Sequence, residues 1–164
     1  YTSQLEDIGF CNDRTYYNFN TSGWNKDYSN YDKWLFFSSI QRLSNRKPSL
    51  VCPRQVDKFT VGTDNGNGKL TYPVGMITAE EMAYAGGVIW QTNTSYYLYN
   101  GVHNWSFSPS TFDAVGAYEF DLRSSGLFSL NYVYTSCGVR PVISLKNGIV
   151  LSSGSGTSSS PYIV

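Results

Sequence analysis

The chain has one histidine, His103, and three cysteines, Cys11, Cys52 and Cys137. A Ser-His or Cys-His nucleophilic site must therefore use His103, with Cys137 or one of many serines as its partner. His103 lies in Asn100-Gly-Val-His-Asn104, a hairpin-like turn, and no Gly-x-Ser-x-Gly elbow precedes a helix. One histidine and three scattered cysteines lack the close spacing of zinc ligands. Asp64-Asn-Gly-Asn-Gly-Lys69 gathers oxygens, but Gly66 stands where a calcium loop needs a ligand. Asn-Gly steps accept positive φ cheaply, so a turn is expected there. No glycine-rich phosphate loop leads into a helix. Glu80 and Glu81 offer acid/base chemistry, yet they fall in the first turn of a predicted helix, where the backbone field stabilises carboxylates. The expectation is no catalytic residue, no metal and no cofactor.

Cys137 directly precedes Gly138, and Arg140 is its one nearby base. With so little to stabilise a thiolate, it is expected to be inert or partly buried. Cys11 and Cys52 sit in turn-like contexts, Cys-Asn-Asp and Cys-Pro, on either side of one predicted helix. Pairing them leaves Cys137 over and would constrain the unfolded chain by roughly 4 kcal/mol. Three reduced thiols are the alternative. Arg123 and Arg140 lie in apolar or turn segments, and each guanidinium carries five fixed donors that can tie backbone carbonyls or a carboxylate such as Asp121. Arg140 is expected to be an internal clamp, with ligand reading as its other open role.

Charged residues make up 15% of the 164, and 12 Lys plus Arg balance 12 Asp plus Glu. Without a basic cluster there is no field to attract phosphates, so nucleic acid is not an expected partner. Hydrophobic residues at 41% and aromatics at 16% supply a core and argue against disorder. No run approaches the roughly 20 apolar residues that cross a bilayer, so no membrane contact is expected of this chain. The chain opens at Tyr1 with no signal peptide; a processed piece of a larger protein is expected, with any anchor or export signal elsewhere.

The elements that must position these groups follow from periodicity. Residues 1 to 31 read as irregular chain with one or two short strands. Asp32 to Leu43 carries Leu35, Phe36, Ile40 and Leu43 at helical spacing, with Ser29 or Asn30 as cap and Pro48 beyond the end. Trp34 and Phe37 there are expected to pack rather than to hold a cofactor. Thr78-Ala-Glu-Glu81 is a capping box opening a short second helix, lined by Met82 and Ala85 and stopped at Gly86-Gly87. Strands are expected over residues 88–90, 96–99, 104–107, 117–122, 127–134 and 139–145, with a final hairpin around the Ser/Gly-rich tail. Helices early and strands late predict one α+β domain over 1–164, about 1–70 with helix one and about 71–164 as its core.

Tyr96, Tyr97, Tyr99, Trp105, Tyr118, Tyr132 and Tyr134 cannot all be core, because alternating strands send some to solvent. Exposed Tyr and Trp beside Asn and Ser give contact area at low entropic cost. Tyr96, Tyr97, Tyr99, Trp105 and Tyr118 are therefore the candidate ligand-binding residues.

Trp105-Ser-Phe-Ser-Pro109, Asp121-Leu-Arg-Ser-Ser-Gly126 and Gly138-Val-Arg-Pro-Val-Ile-Ser-Leu145 resemble motifs of bacterial surface and secreted modules related to the C-type-lectin and formylglycine-generating-enzyme-like fold. Thr71 to Met82, Ala85-Gly-Gly87 and the tail Gly154 to Val164 resemble modules of Firmicutes-like multi-domain surface proteins. The resemblance covers about residues 71–164 well and 1–70 loosely. It implies two helices on a twisted, mostly antiparallel sheet, and a location on the bacterial cell surface or secreted. It also implies flanking domains and a role in adhesion to a protein or glycan ligand, or as a spacer in a pilus or cell-wall stalk. The enzyme branch has a reactive Cys after its Arg, where this chain has Pro141. The calcium-dependent lectins have a Glu-Pro-Asn-type loop that this chain lacks. Neither activity is carried over.

Overall fold

Alternation along residues 104–132 builds the main sheet. The computed structural model describes residues 2–17, 35–96, 98–113, 115–157 and 159–163. In chain order the elements are β1 (Phe10–Cys11), β2 (Leu35–Phe36), α1 (Ser38–Ser44), β3 (Lys58–Phe59) and β4 (Gly75–Met76). There follow α2 (Ala79–Tyr84), β5 (Asn104–Phe112), β6 (Ala117–Leu122), β7 (Phe128–Tyr132) and β8 (Pro141–Val142). Among the described residues the architecture is α+β with two short helices, and the named strands all pair antiparallel. The main sheet has the order β2-β5-β6-β7, while β1-β3 and β4-β8 form two small ladders.

Both helices pack on one face of this sheet. β6 buries Tyr118, Phe120 and Leu122 on alternate positions, and Leu122 lies opposite Phe128 of β7. The core gathers Phe120, Leu122 and Phe128 with Ile40 and Leu43 of α1, Ala79 and Met82 of α2, and Ile89 and Tyr96. β5 does the reverse of what its aromatics suggest. It buries Asn104, Ser106, Ser108 and Ser110 and leaves Trp105 and Phe107 half-buried. Small serines leave room for the helices, and each hydroxyl finds a partner nearby. Ser108 Oγ accepts the Ala79 amide at 3.0 Å, at the start of α2.

The capping box forms as read: Thr78 Oγ1 accepts from the Glu81 amide while the Glu81 carboxylate accepts from the Thr78 amide at 2.7 Å. α2 stops at Gly86, whose φ of +106° few other residues adopt. Helix one begins later than expected, at Ser38. Leu35 and Phe36 pair instead with Phe112 and Thr111 of β5, which satisfies their backbone in a sheet. The expected start at Asp32, the caps Ser29 and Asn30, and Trp34 lie outside the described residues. Residues 88–90 are a turn rather than a strand, because Trp90 sits at φ +67°. Tyr96 begins another turn, closed by the Tyr99 amide on the Tyr96 carbonyl at 2.9 Å. In 139–145 the strand shortens to Pro141–Val142. The tail closes through a single bridge, Ser153 to Ile163, with a tighter one from Thr157 to Ser160 inside it.

Cys11 and Cys52 form a disulfide with Cα atoms 5.6 Å apart, and Cys137 is free. The bridge fastens β1 to the loop after α1. Replacing both bridged cysteines by serine is expected to cost about 2 to 5 kcal/mol in denaturant unfolding. Alkylation of the unreduced native protein should label one thiol; three labelled thiols would show that the bridge is not formed. Thr78→Ala should cost about 1 kcal/mol through the lost cap.

Candidate recognition site

The aromatic residues singled out in the sequence do not share one open face. Tyr96 is 6% exposed, and its hydroxyl donates to the Met82 carbonyl at 3.2 Å. Burial pushes its phenol pKa up to about 12, against the opposing pull of Arg140. Tyr118 is 7% exposed and donates to Asp113 Oδ2 at 3.0 Å. Tyr96 is a correction to the expected binding set, whereas Tyr118, though largely buried, lines the groove described below. Strand alternation turns Tyr118 to the buried side of β6, and the turn starting at Tyr96 plugs the core. Tyr99 and Trp105 are half-buried, with the Tyr99 hydroxyl donating to the Ser124 carbonyl at 2.8 Å. Tyr97 lies outside the described residues.

The exposed aromatic surface lies elsewhere, at the end of the sheet where β5 carries two register shifts around Pro109. A groove of about 330 Å³ opens there, lined by Leu35, Phe37, Phe112, Val133, Thr111 and Glu119 among others. Phe112 and Val133 are exposed at its rim. Tyr118, which also lines it, packs tilted against Tyr132, and Tyr132 stacks on Tyr134, with ring centroids 4.2 and 4.8 Å apart. Tyr134, last in the series, is 75% exposed. Polar groups interrupt the apolar lining, Thr111 and Glu119 among them. Among the described residues Thr111 Oγ1 is buried without a hydrogen-bond partner, and burial raises the pKa of the Glu119 carboxyl.

Sequence reading passed over Phe112 and Val133, and named Tyr134 among the aromatics without placing it in the candidate binding set. For Phe112 the signal was the loss of clean alternation near Pro109; Val133 and Tyr134 lie just past β7.

The groups with reactive chemistry gather at the other end of β6. Asp121 is fully buried; its Oδ2 lies 2.5 Å from His103 Nε2 and 3.6 Å from Arg123 Nε. Arg123 also donates to the Leu130 carbonyl on the outer edge of β7 at 3.2 Å. Cys137 stands near this trio. Burial raises its thiol pKa, Asp121 adds to the rise, and Arg123 opposes it. No hydrogen bond joins Cys137 to His103 among the described residues, so the thiol has neither a base nor a lowered pKa. Arg140 donates to the Leu98 carbonyl. Among the described residues no three His, Cys, Asp or Glu side chains gather as metal ligands, and no helix is long and apolar enough to cross a membrane.

The raised Glu119 pKa fixes the sign of a pH effect. The fold favours the neutral carboxyl over the unfolded chain, whose value is 4.5. That contribution is complete below the unfolded value and is lost as pH rises through the folded one. Glu119→Gln is therefore expected to raise the melting temperature near neutral pH, with the gain vanishing below pH 4.5. Melts of both proteins across this range check it; a gain that is independent of pH would refute the burial argument.

Comparison with known proteins finds no matching family model, no matching curated protein and no matching solved structure.

Proposed function

We propose that this chain is a non-catalytic recognition module of C-type-lectin-like architecture, exposed on or secreted from a bacterial cell, which grips a protein ligand through the groove beside Tyr134. The observation that carries this reading is a 330 Å³ recess rimmed by the exposed Phe112 and Val133, with the exposed Tyr134 next to Val133 in the chain. Exposed apolar clusters of this kind mark interaction sites, and an aromatic anchor seated in a pocket dominates such interfaces. A protein ligand suits it better than a glycan. Sugars need several convergent polar partners, whereas the lining here is mostly apolar. The Cys11–Cys52 disulfide fits an oxidising compartment. The raised thiol pKa of Cys137 supports the non-catalytic reading.

A second reading, a spacer module of a pilus or cell-wall stalk, draws on the apolar surface around the β4–β8 ladder. There Val74, Val139 and Ile143 are all exposed, offering contact to a flanking domain.

Screening the folded protein against host-protein and glycan arrays separates the two. The recognition reading expects a protein hit whose affinity falls about tenfold or more in Phe112→Ser and in Tyr134→Ala, with melting temperatures little changed. Silence on both arrays, with binding only to neighbouring modules of the parent protein, would support the spacer instead.

A further inference from the structure

An asparagine side chain can be attacked by the backbone nitrogen that follows it, and a glycine there hinders the attack least, having no Cβ. The chain holds four such steps, Asn65-Gly66, Asn67-Gly68, Asn100-Gly101 and Asn147-Gly148. Ring closure needs the asparagine Cγ to swing onto the glycine nitrogen, so both groups must be free to move. The fold restrains three of the four.

Asn67 is held at both ends. Its Nδ2 donates to the Val56 carbonyl at 3.0 Å, its Oδ1 accepts from the Lys69 amide at 3.1 Å, and the Gly68 amide donates to Thr60 Oγ1 at 3.3 Å. Asn100 Oδ1 accepts from the Val102 amide and from Asn104 Nδ2, each at 3.1 Å. Asn65 is exposed, but Gly66 is buried against Thr60 and the Lys58 carbonyl with no room for a Cβ. The Gly66 carbonyl also accepts from Gln55 Nε2 at 3.2 Å.

Asn147 is different. It is exposed in the turn after Lys146, and among the described residues no hydrogen bond holds its side chain or the Gly148 amide. A Cβ built on Gly148 would meet nothing within 4 Å, and its φ of +85° suits glycine. The Ile149 amide closes the turn on the Lys146 carbonyl at a long 3.3 Å.

We propose that Asn147 is a site of spontaneous deamidation, the one Asn-Gly step of the four that the folded chain leaves free to react. The Gly148 nitrogen gives its proton to hydroxide or a buffer base and bonds to Asn147 Cγ. The Cγ–Nδ2 bond breaks and ammonia leaves, giving a five-membered succinimide. Water opens this ring at either carbonyl, so the product is aspartate or isoaspartate. One water enters and one ammonia leaves, with no oxidant or enzyme. Each event adds a negative charge to a chain whose formal charge is zero. Isoaspartate also lengthens the backbone by one atom, beside the Lys146 amide that donates to the Gln4 carbonyl at 2.9 Å. The inference does not depend on the role of the groove at Phe112.

The test incubates the whole disulfide-bonded chain in mildly alkaline buffer. Anion exchange follows the new charge, and peptide mapping with electron-transfer fragmentation locates it and separates aspartate from isoaspartate. Deamidation at Asn147 is expected to run about tenfold or more faster than at Asn65, Asn67 or Asn100, and to give both isomers. The reduced chain in denaturant should lose that preference and react at similar rates at all four steps. Asn147→Gln should remove the new acidic peak, because closing a six-membered ring is slow, and should leave the melting temperature unchanged. Similar rates at the four steps in the folded chain, or aspartate without isoaspartate at Asn147, would overturn the inference. So would the same preference in the denatured chain, which would assign it to local sequence. If Asn147→Gln does not fold, the site-by-site rates of the wild type still decide it.

Discussion

Room on the inner face of β5 is the constraint on which the two-layer arrangement depends. Ser106, Ser108 and Ser110 are at most 2% exposed, and they occupy the places where a larger strand residue would hold the helices away. With so little side chain between them, helix and strand come within reach of each other's backbone. Ser108 Oγ accepts an amide at the start of α2, Ser39 Oγ donates from α1 to the Pro109 carbonyl at 2.9 Å, and the Phe37 amide donates to the Ser110 carbonyl at 3.0 Å. The layers are joined by hydrogen bonds as well as by apolar contact. The bulk that β5 gives up is supplied by Phe120, Leu122 and Phe128 on the neighbouring strands.

Charge follows a similar economy of partners. Asp57 is fully buried with Arg14 2.5 Å away, Asp13 and Glu80 share Arg42, and Asp121 is approached by His103 and Arg123. All but the Asp121–Arg123 contact join segments distant in sequence. Such pairs contribute little net stability after desolvation, but breaking one leaves a buried charge unmatched. They therefore act against wrong packings more than in favour of the right one. Arg123 does this twice, because it also occupies the Leu130 carbonyl on an edge strand, a group open to pairing with another chain.

Local signals in the sequence were legible, and signals that depend on distant partners were not. The capping box at Thr78, the glycine stop at Gly86 and the span of β6 were readable, because each is decided by residues within one turn or one strand. The Cys11–Cys52 pairing was readable from its turn contexts. Leu35 and Phe36 were ambiguous. A short apolar run fits helix and strand equally, and the β5 partner that decided the matter lies more than 70 residues away. The burial of Tyr96 and Tyr118 was hidden for a related reason: a tyrosine carries an apolar body and a polar tip, and only the tertiary fold shows whether the tip finds an internal acceptor. Glu80 looked like a first-turn carboxylate stabilised by its helix. Nothing near it in the sequence pointed to Arg42 or Asp13.

The Cys11–Cys52 bridge has a mechanical consequence. Its two ends are 41 residues apart, a length that would extend to roughly 140 Å if pulled straight. With the sulfurs joined, a force transmitted along the chain passes from one cysteine to the other and does not enter the loop. A domain carrying tension between neighbours would thus keep α1 and its surroundings out of the load path and yield less length when it gives way. Reduction would release that hidden length, so the redox state of one bond would set how far the module can stretch.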